Sequence, residues 1–277
     1  MKDYNPEKDG AKMSWSKDDM NYGNYLRLDK ILTAQHRMSD AHDEMLFIIQ
    51  HQTSELWMSL VLHEIEAARI LLIDGEYRRS FKMLARVSRI FEQLNSAWDV
   101  LRTMTPSDYT TFRDSLDSSS GFQSHQYRLI EFALGNRNTA MMKVHENNPE
   151  WHQALEDELK KPSIYHLALQ ALSKETKIEF PESTYRLDQS HQANEEVTGA
   201  WVLIYKNPEQ YWDLYELAEK LVDIEDYFRR WRFNHVTTVE RVIGFKRGTG
   251  GTSGVKYLRK MLDVVLFPEL WDLRGDL

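Results

Sequence analysis

Apolar positions recur every three to four residues along most of this chain, with no sustained period-2 alternation, so the pattern predicts helix after helix and no sheet. The clearest stripe lies in a long segment opened by Asn207 as cap and Pro208 at the first helical position, and closed at Gly244. Stepping back from His235 by helical turns gives Trp231, Phe228, Ile224, Leu221, Leu217 and Leu214; stepping forward gives Val239 and Val242. His235 is the one polar residue in that stripe and should face the core. A buried imidazole without partners loses roughly a few kcal/mol to desolvation. A hydrogen-bonded core histidine and a metal ligand both answer that need, and spacing does not choose between them.

A second predicted helix runs from about Asp40 to Ile73, with Ser39 or Asp40 as N-cap and Asp74-Gly75 as its end. Its apolar stretches flank a polar insertion, Gln50 to Glu55. Phe47, His51, Glu55 and Met58 fall on or near one face at i, i+4 spacing, as either a solvent face or a pocket wall. A short helix follows from Pro106 to about Leu116, where Thr105 caps, Pro106 begins the first turn and Asp108 completes a capping box. It places Tyr109 and Arg113 one turn apart. Arg113 presents a planar fork suited to a carboxylate, or else pairs with Asp114 or Asp117 at the surface. The stretch from Gly244 to Gly254, GFKRGTGGTSG, has five glycines in 11 residues. It follows a helix and lacks phosphate-loop spacing. With hydroxyls at Thr249, Thr252 and Ser253 it reads as a lid or a flexible linker.

Residues 1–19 are polar and expected to be loose; residues 20–277 are expected to form a single helical domain. Eight Trp, 13 Tyr and 11 Phe supply large side chains for lining a cavity. The net charge of -8 offers nothing for a nucleic-acid backbone. The charged start, MKDYNPEKDG, has no signal-like apolar stretch and no run approaches a membrane span, so the expected location is the cytoplasm.

The absence of cysteine removes disulfides, thiolate-held zinc, iron–sulfur clusters and a haem thioether link. None of the ten histidines has Glu three residues before it, so the di-iron bundle signature is missing. His42 and Glu44 offer part of a non-haem iron triad, or simply suit a helix start.

Several longer stretches resemble the bacterial tryptophan 2,3-dioxygenases: YGNYLRLD (22–29), HDEMLFIIQHQTSELW (42–57), FRDSLDSSSGFQSHQYR (112–128), WRFNHVTTVERVIGFKRGTGG (231–251) and LFPEL (266–270). The resemblance covers about Tyr22 to Asp272, and no usable match precedes residue 19. It implies an all-α fold, a single large helical domain around a haem pocket, with one haem b per subunit of a homotetramer. It implies opening of the indole ring of L-tryptophan by O2 to give N-formyl-L-kynurenine, a step of tryptophan catabolism in the kynurenine pathway. Carried over by motif, His235 is the proximal haem ligand and His51 the distal histidine near the indole nitrogen. Arg113 grips the substrate carboxylate and Thr249 meets its ammonium. Phe47 and Tyr109 line the pocket, Trp98 and Ser120 lie by the haem edge, and Tyr22 and Tyr25 complete a neighbouring subunit's pocket. A haem-binding sensor of this fold without turnover is the alternative reading; intact Arg113, His51 and Thr249 speak against it.

Overall fold

The computed structural model describes residues 5–16 and 19–277. Among them every regular element is helical, as the periodicity requires. Internal contacts divide the chain into Met1–Met38 and Ser39–Leu277. The expected loose segment, 1–19, lies partly outside the described residues. In the first unit, α1 (Tyr22–Leu26) is capped by Asn21, whose side chain accepts from the Asn24 amide at 3.0 Å. Arg27, at φ 51°, separates it from α2 (Leu28–Ile31). Tyr22 and Tyr25 are 76% and 75% exposed.

The second unit contains α3 (Glu44–Ile73), α4 (Tyr77–Leu101), α5 (Pro106–Phe112), α6 (His125–Leu134) and α7 (Pro149–Leu159). It continues with α8 (Ile164–Thr176), α9 (Glu195–Lys206), α10 (Trp212–Val242), α11 (Val255–Met261) and α12 (Pro268–Asp272). Helix α4 packs along both α3 and α10. Val61 and Ile65 of α3, Leu84, Val87 and Phe91 of α4, and Leu217, Leu221 and Phe228 of α10 are buried between them. Phe91 and Phe228 meet edge to face, 5.0 Å between centroids. Burying each such side chain contributes about 1.5–3 kcal/mol, so the α3–α4–α10 layer is the frame on which the rest is placed.

Two helix starts differ from expectation, for identifiable reasons. Asn207 does not cap α10. It ends α9, its carbonyl accepting from the Gln210 and Tyr211 amides in a turn through Pro208, and α10 begins at Trp212. Helix α3 begins at Glu44 rather than Asp40, because the Glu44 carboxylate turns back to accept from Ser39 N at 2.8 Å and Ser39 Oγ at 2.5 Å. That arrangement gives Glu44 a capping task and removes it from the candidate iron triad with His42.

The LFPEL segment is fastened by two buried carboxylates. Glu225 of α10 accepts from the amides of Leu266 and Phe267 at 2.7 and 2.9 Å, and from Trp271 Nε1 at 2.8 Å. Glu269 accepts from Tyr165 Oη at 2.6 Å and from the Asn194 amide at 3.1 Å, and pairs with His191 Nε2 at 2.6 Å. Buried carboxylates need such partners, which here tie the C-terminal segment to α8, α10 and the start of α9.

Candidate functional site

The stripe of α10 and the polar insertion of α3 open on one cavity. It holds about 1630 Å³ of space between atoms, its solvent-open mouth included. Phe47, His51, Glu55 and Met58 of α3 form part of its wall, with Trp98 and Leu101 of α4, Tyr109 of α5, and Trp231, His235, Val239 and Val242 of α10. The polar insertion of α3 is therefore a pocket wall.

His51 Nδ1 lies 2.7 Å from the Phe47 carbonyl oxygen. A carbonyl only accepts, so Nδ1 carries the proton and Nε2 is an acceptor. Burial pushes the His51 pKa down, against the Phe47 hydrogen bond and the Glu55 carboxylate, so the ring is neutral near pH 7. Phe47 stands against it, 4.2 Å between centroids, and is held by Phe112 at 5.6 Å and Tyr109 at 6.3 Å.

His235 is held more strongly neutral. Burial brings its pKa down to about 4, with the nearby His51 acting the same way. Trp98 stacks on it at 5.0 Å and 16°, and Trp231 leans on it at 5.5 Å. No hydrogen bond from the described residues reaches either ring nitrogen. The hydrogen-bonded core histidine that spacing allowed is thereby set aside, leaving an imidazole with free lone-pair capacity beside a cavity. The Trp98 indole N–H is also buried without an acceptor.

Arg113 stands at the point where α5 gives way to a 3-10 turn, Arg113–Leu116. Its Nη2 donates to the Arg247 carbonyl of the glycine-rich loop at 3.0 Å. Its contact with Asp114 is 3.9 Å to a fully exposed carboxylate, and so is worth little. Its Nε is buried with no partner. A charged donor left unsatisfied costs more than a neutral one, which makes this edge of the fork a place for an anion. Burial raises the Tyr109 pKa while the adjacent guanidinium opposes it.

The glycine-rich loop is folded down. Thr249 Oγ1 donates to the Ser119 carbonyl at 2.6 Å, and Gly250 approaches Ser120 so closely that a Cβ there would lie 2.7 Å from the serine's own. Ser120 caps the 3-10 turn Gly121–Gln123, with its Oγ accepting from the Phe122 amide at 3.4 Å. Asp117, at φ 47°, occupies a backbone region that favours glycine in the turn that leads there.

One part of the site was not anticipated from sequence. Glu131 lies between two buried arginines, pairing with Arg128 and accepting from Arg232 Nη2 at 2.8 Å and Asn136 Nδ2 at 3.1 Å. Arg232 also donates to Tyr127 Oη at 3.1 Å and to the Val264 carbonyl at 2.9 Å. Arg128, Arg232 and Tyr127 all line the cavity. Two guanidiniums against one carboxylate leave one surplus positive charge in that wall. The signal available was Arg232 itself, which follows Phe228 by four residues and so sits at the edge of the apolar stripe.

Among the described residues no three His, Cys, Asp or Glu side chains cluster as a metal site. A metal here would take one ligand from the chain, His235, and most others from a carrier molecule. The donor set suits a flat, apolar, metal-bearing group with acidic substituents: one imidazole, aromatic and aliphatic walls, a surplus arginine charge and the unpaired Trp98 N–H.

Fold and site together define an all-helical protein built around a large cavity with two neutral histidines. The profile of the tryptophan 2,3-dioxygenase family matches residues 6–184 and 180–277, and the chain belongs to that family. It is 70% identical over 275 residues to a tryptophan 2,3-dioxygenase of Ruegeria pomeroyi, covering 99% of both chains. It is 61% identical over 274 residues to that of Bradyrhizobium diazoefficiens, covering 98% of both. With that of Cupriavidus necator it shares 57% over 269 residues, 97% of this chain and 91% of the relative. No helix among the described residues is long and apolar enough to cross a membrane.

Proposed function

We propose that this protein is a haem-dependent enzyme, with one haem b per subunit, that opens the indole 2,3-bond of L-tryptophan with O2 to give N-formyl-L-kynurenine in the cytoplasm. The observation that carries the reading is the pair of neutral imidazoles, His51 from α3 and His235 from α10, on one aromatic-walled cavity. His235 would hold the iron, and Arg128 and the Trp98 N–H would meet the acidic side groups. The haem, when bound, supplies the oxygen chemistry.

The chain's own residues position the amino acid. The unpaired Arg113 Nε faces the need of a carboxylate. The Thr249 hydroxyl, whose proton is given to Ser119, has its oxygen left to accept from an ammonium. His51 Nε2 is the acceptor for the indole N–H. It orients that group and does not deprotonate it, because an indole N–H is a very weak acid. Holding both charges and the ring in one pose is worth several kcal/mol when aligned. Phe47 and Tyr109 exclude water from the indole face.

The purified, haem-loaded protein is expected to show an intense Soret band and to consume O2 only when tryptophan is added. No band after loading removes the haem reading. A band without tryptophan-dependent O2 uptake favours a sensor.

Gly250→Ala tests the loop. Its added methyl pushes Ser120 or lifts Thr249, so the KM for tryptophan should rise on the order of tenfold, about 1.4 kcal/mol, with little change in melting temperature. An unchanged KM would mean that the loop does not close on substrate.

The assembly proposed is a homotetramer in which Tyr22 and Tyr25 complete a neighbour's pocket, in keeping with two phenols on α1 that are about three-quarters exposed. Subunits lacking residues 1–30, inactive alone, should regain activity when mixed with Arg113→Ala subunits. Mixtures that stay inactive would place the tyrosines in their own subunit's pocket.

A further inference from the structure

Asn95, Trp98 and Arg102 of the α4 end follow one another at helical spacing and meet α10 around His235. The Trp98 ring lies nearly parallel to the imidazole. On one side of that stack Asn234 Nδ2 donates to Asn95 Oδ1 at 2.9 Å, and Asn95 Nδ2 donates to the Tyr227 carbonyl at 3.0 Å. On the other side the Arg102 guanidinium donates to Thr238 Oγ1 at 2.8 Å, to Thr237 Oγ1, and more weakly to the Asn234 carbonyl at 3.4 Å. Arg241 Nε closes the clasp on the Arg102 carbonyl at 3.2 Å.

Since no hydrogen bond from the described residues reaches the His235 nitrogens, flat contact with the Trp98 indole, backed by the tilted Trp231, sets the plane of the ring. Where Trp98 lies depends in turn on how α4 is clasped to α10. Among the described residues the partners of the Arg102 guanidinium are hydroxyl, carbonyl and amide oxygens, none of them a carboxylate. It therefore holds an uncompensated positive charge against hydroxyls and a carbonyl, one helical turn from His235.

We propose that Arg102 is a positioning residue for His235, fixing the imidazole plane through Trp98 and biasing a metal bound there toward its lower oxidation state. The proposal rests on the reading of His235 as iron ligand. Fork and charge are separable, because lysine keeps the charge and loses the planar geometry. A nearby cation opposes the extra positive charge of ferric iron, and charged groups beside an iron ligand tune haem potentials in this way.

The test uses haem-loaded wild type, Arg102→Lys, Arg102→Gln and Thr238→Val. Two quantities are read: the iron–histidine stretching band of the ferrous protein by resonance Raman, and the ferrous-to-ferric ratio at one fixed solution potential. All three variants should shift or broaden the band. Only Arg102→Gln should lower the ratio, on the order of tenfold, while Arg102→Lys and Thr238→Val stay within about twofold. A ratio unchanged in Arg102→Gln overturns the proposal, and so does a band unchanged in Thr238→Val, which keeps the charge and is readable even if Arg102→Gln does not fold. Failure of the haem reading looks different: wild type would then take up no haem, or His235→Ala would take it up equally well.

Discussion

His235→Ala is expected to fold and to lose most of its haem, with affinity falling by more than the roughly 10–100-fold that losing a ligand's hydrogen-bond partner alone costs. The fold should survive because the ring makes no hydrogen bond among the described residues and the stripe on either side of it, Phe228 and Trp231 before and Val242 after, stays buried. The haem should not, because the side chain read as its iron ligand is gone, and the cavity's other imidazole, His51, stands on a different helix, α3. Imidazole added to the variant should restore part of the Soret intensity by entering the space the side chain leaves. Full haem content with an unchanged ferrous spectrum in His235→Ala would move the ligand to another histidine.

Arg113→Ala is expected to collapse the preference for tryptophan over tryptamine, which lacks the carboxylate. Removing one member of a buried charged pair typically costs about 2–5 kcal/mol, equivalent to roughly 30- to 4,000-fold in kcat/KM. The loss should fall on tryptophan and largely spare the difference already suffered by tryptamine. The ratio is the proper readout, because Arg113 also holds the loop through the Arg247 carbonyl, and losing that contact lowers turnover of both substrates alike. Lysine should rescue in part, as a point charge without the fork. An identical ratio in wild type and Arg113→Ala would show that the carboxylate is bound elsewhere.

What the sequence made legible depended on whether a signal was local. The α10 stripe and the Thr105–Asp108 capping box are local, and both stand in the structure where periodicity and capping chemistry put them. Asn-Pro before an apolar run looks like a cap, but the Asn207 side chain donates Nδ2 to the Leu203 carbonyl and so ends α9, and α10 starts only at Trp212. Arg113 was expected within a regular helix, but α5 tightens into a 3-10 turn there, and the loop that receives its Nη2 lies 134 residues away. The Arg128–Glu131 pair is a further case. Spaced i, i+3 on a helix, it reads as an ordinary surface pair, and only the arrival of Arg232 from a distant helix makes it a buried wall with surplus charge. The roles of His51, Thr249 and the tyrosines were carried by resemblance; spacing alone left each with a plain structural explanation.

The loop's two fastenings share a property with an evolutionary consequence. Arg113 and Thr249 donate, and the acceptors are the main-chain carbonyls of Arg247 and Ser119. Any amino acid supplies a carbonyl, so drift at positions 247 and 119 leaves the latch itself intact while their side chains remain open to selection for other tasks. The burden of heredity falls on the donors alone, and a lineage could remodel the outer surface of this loop without relearning how to shut it.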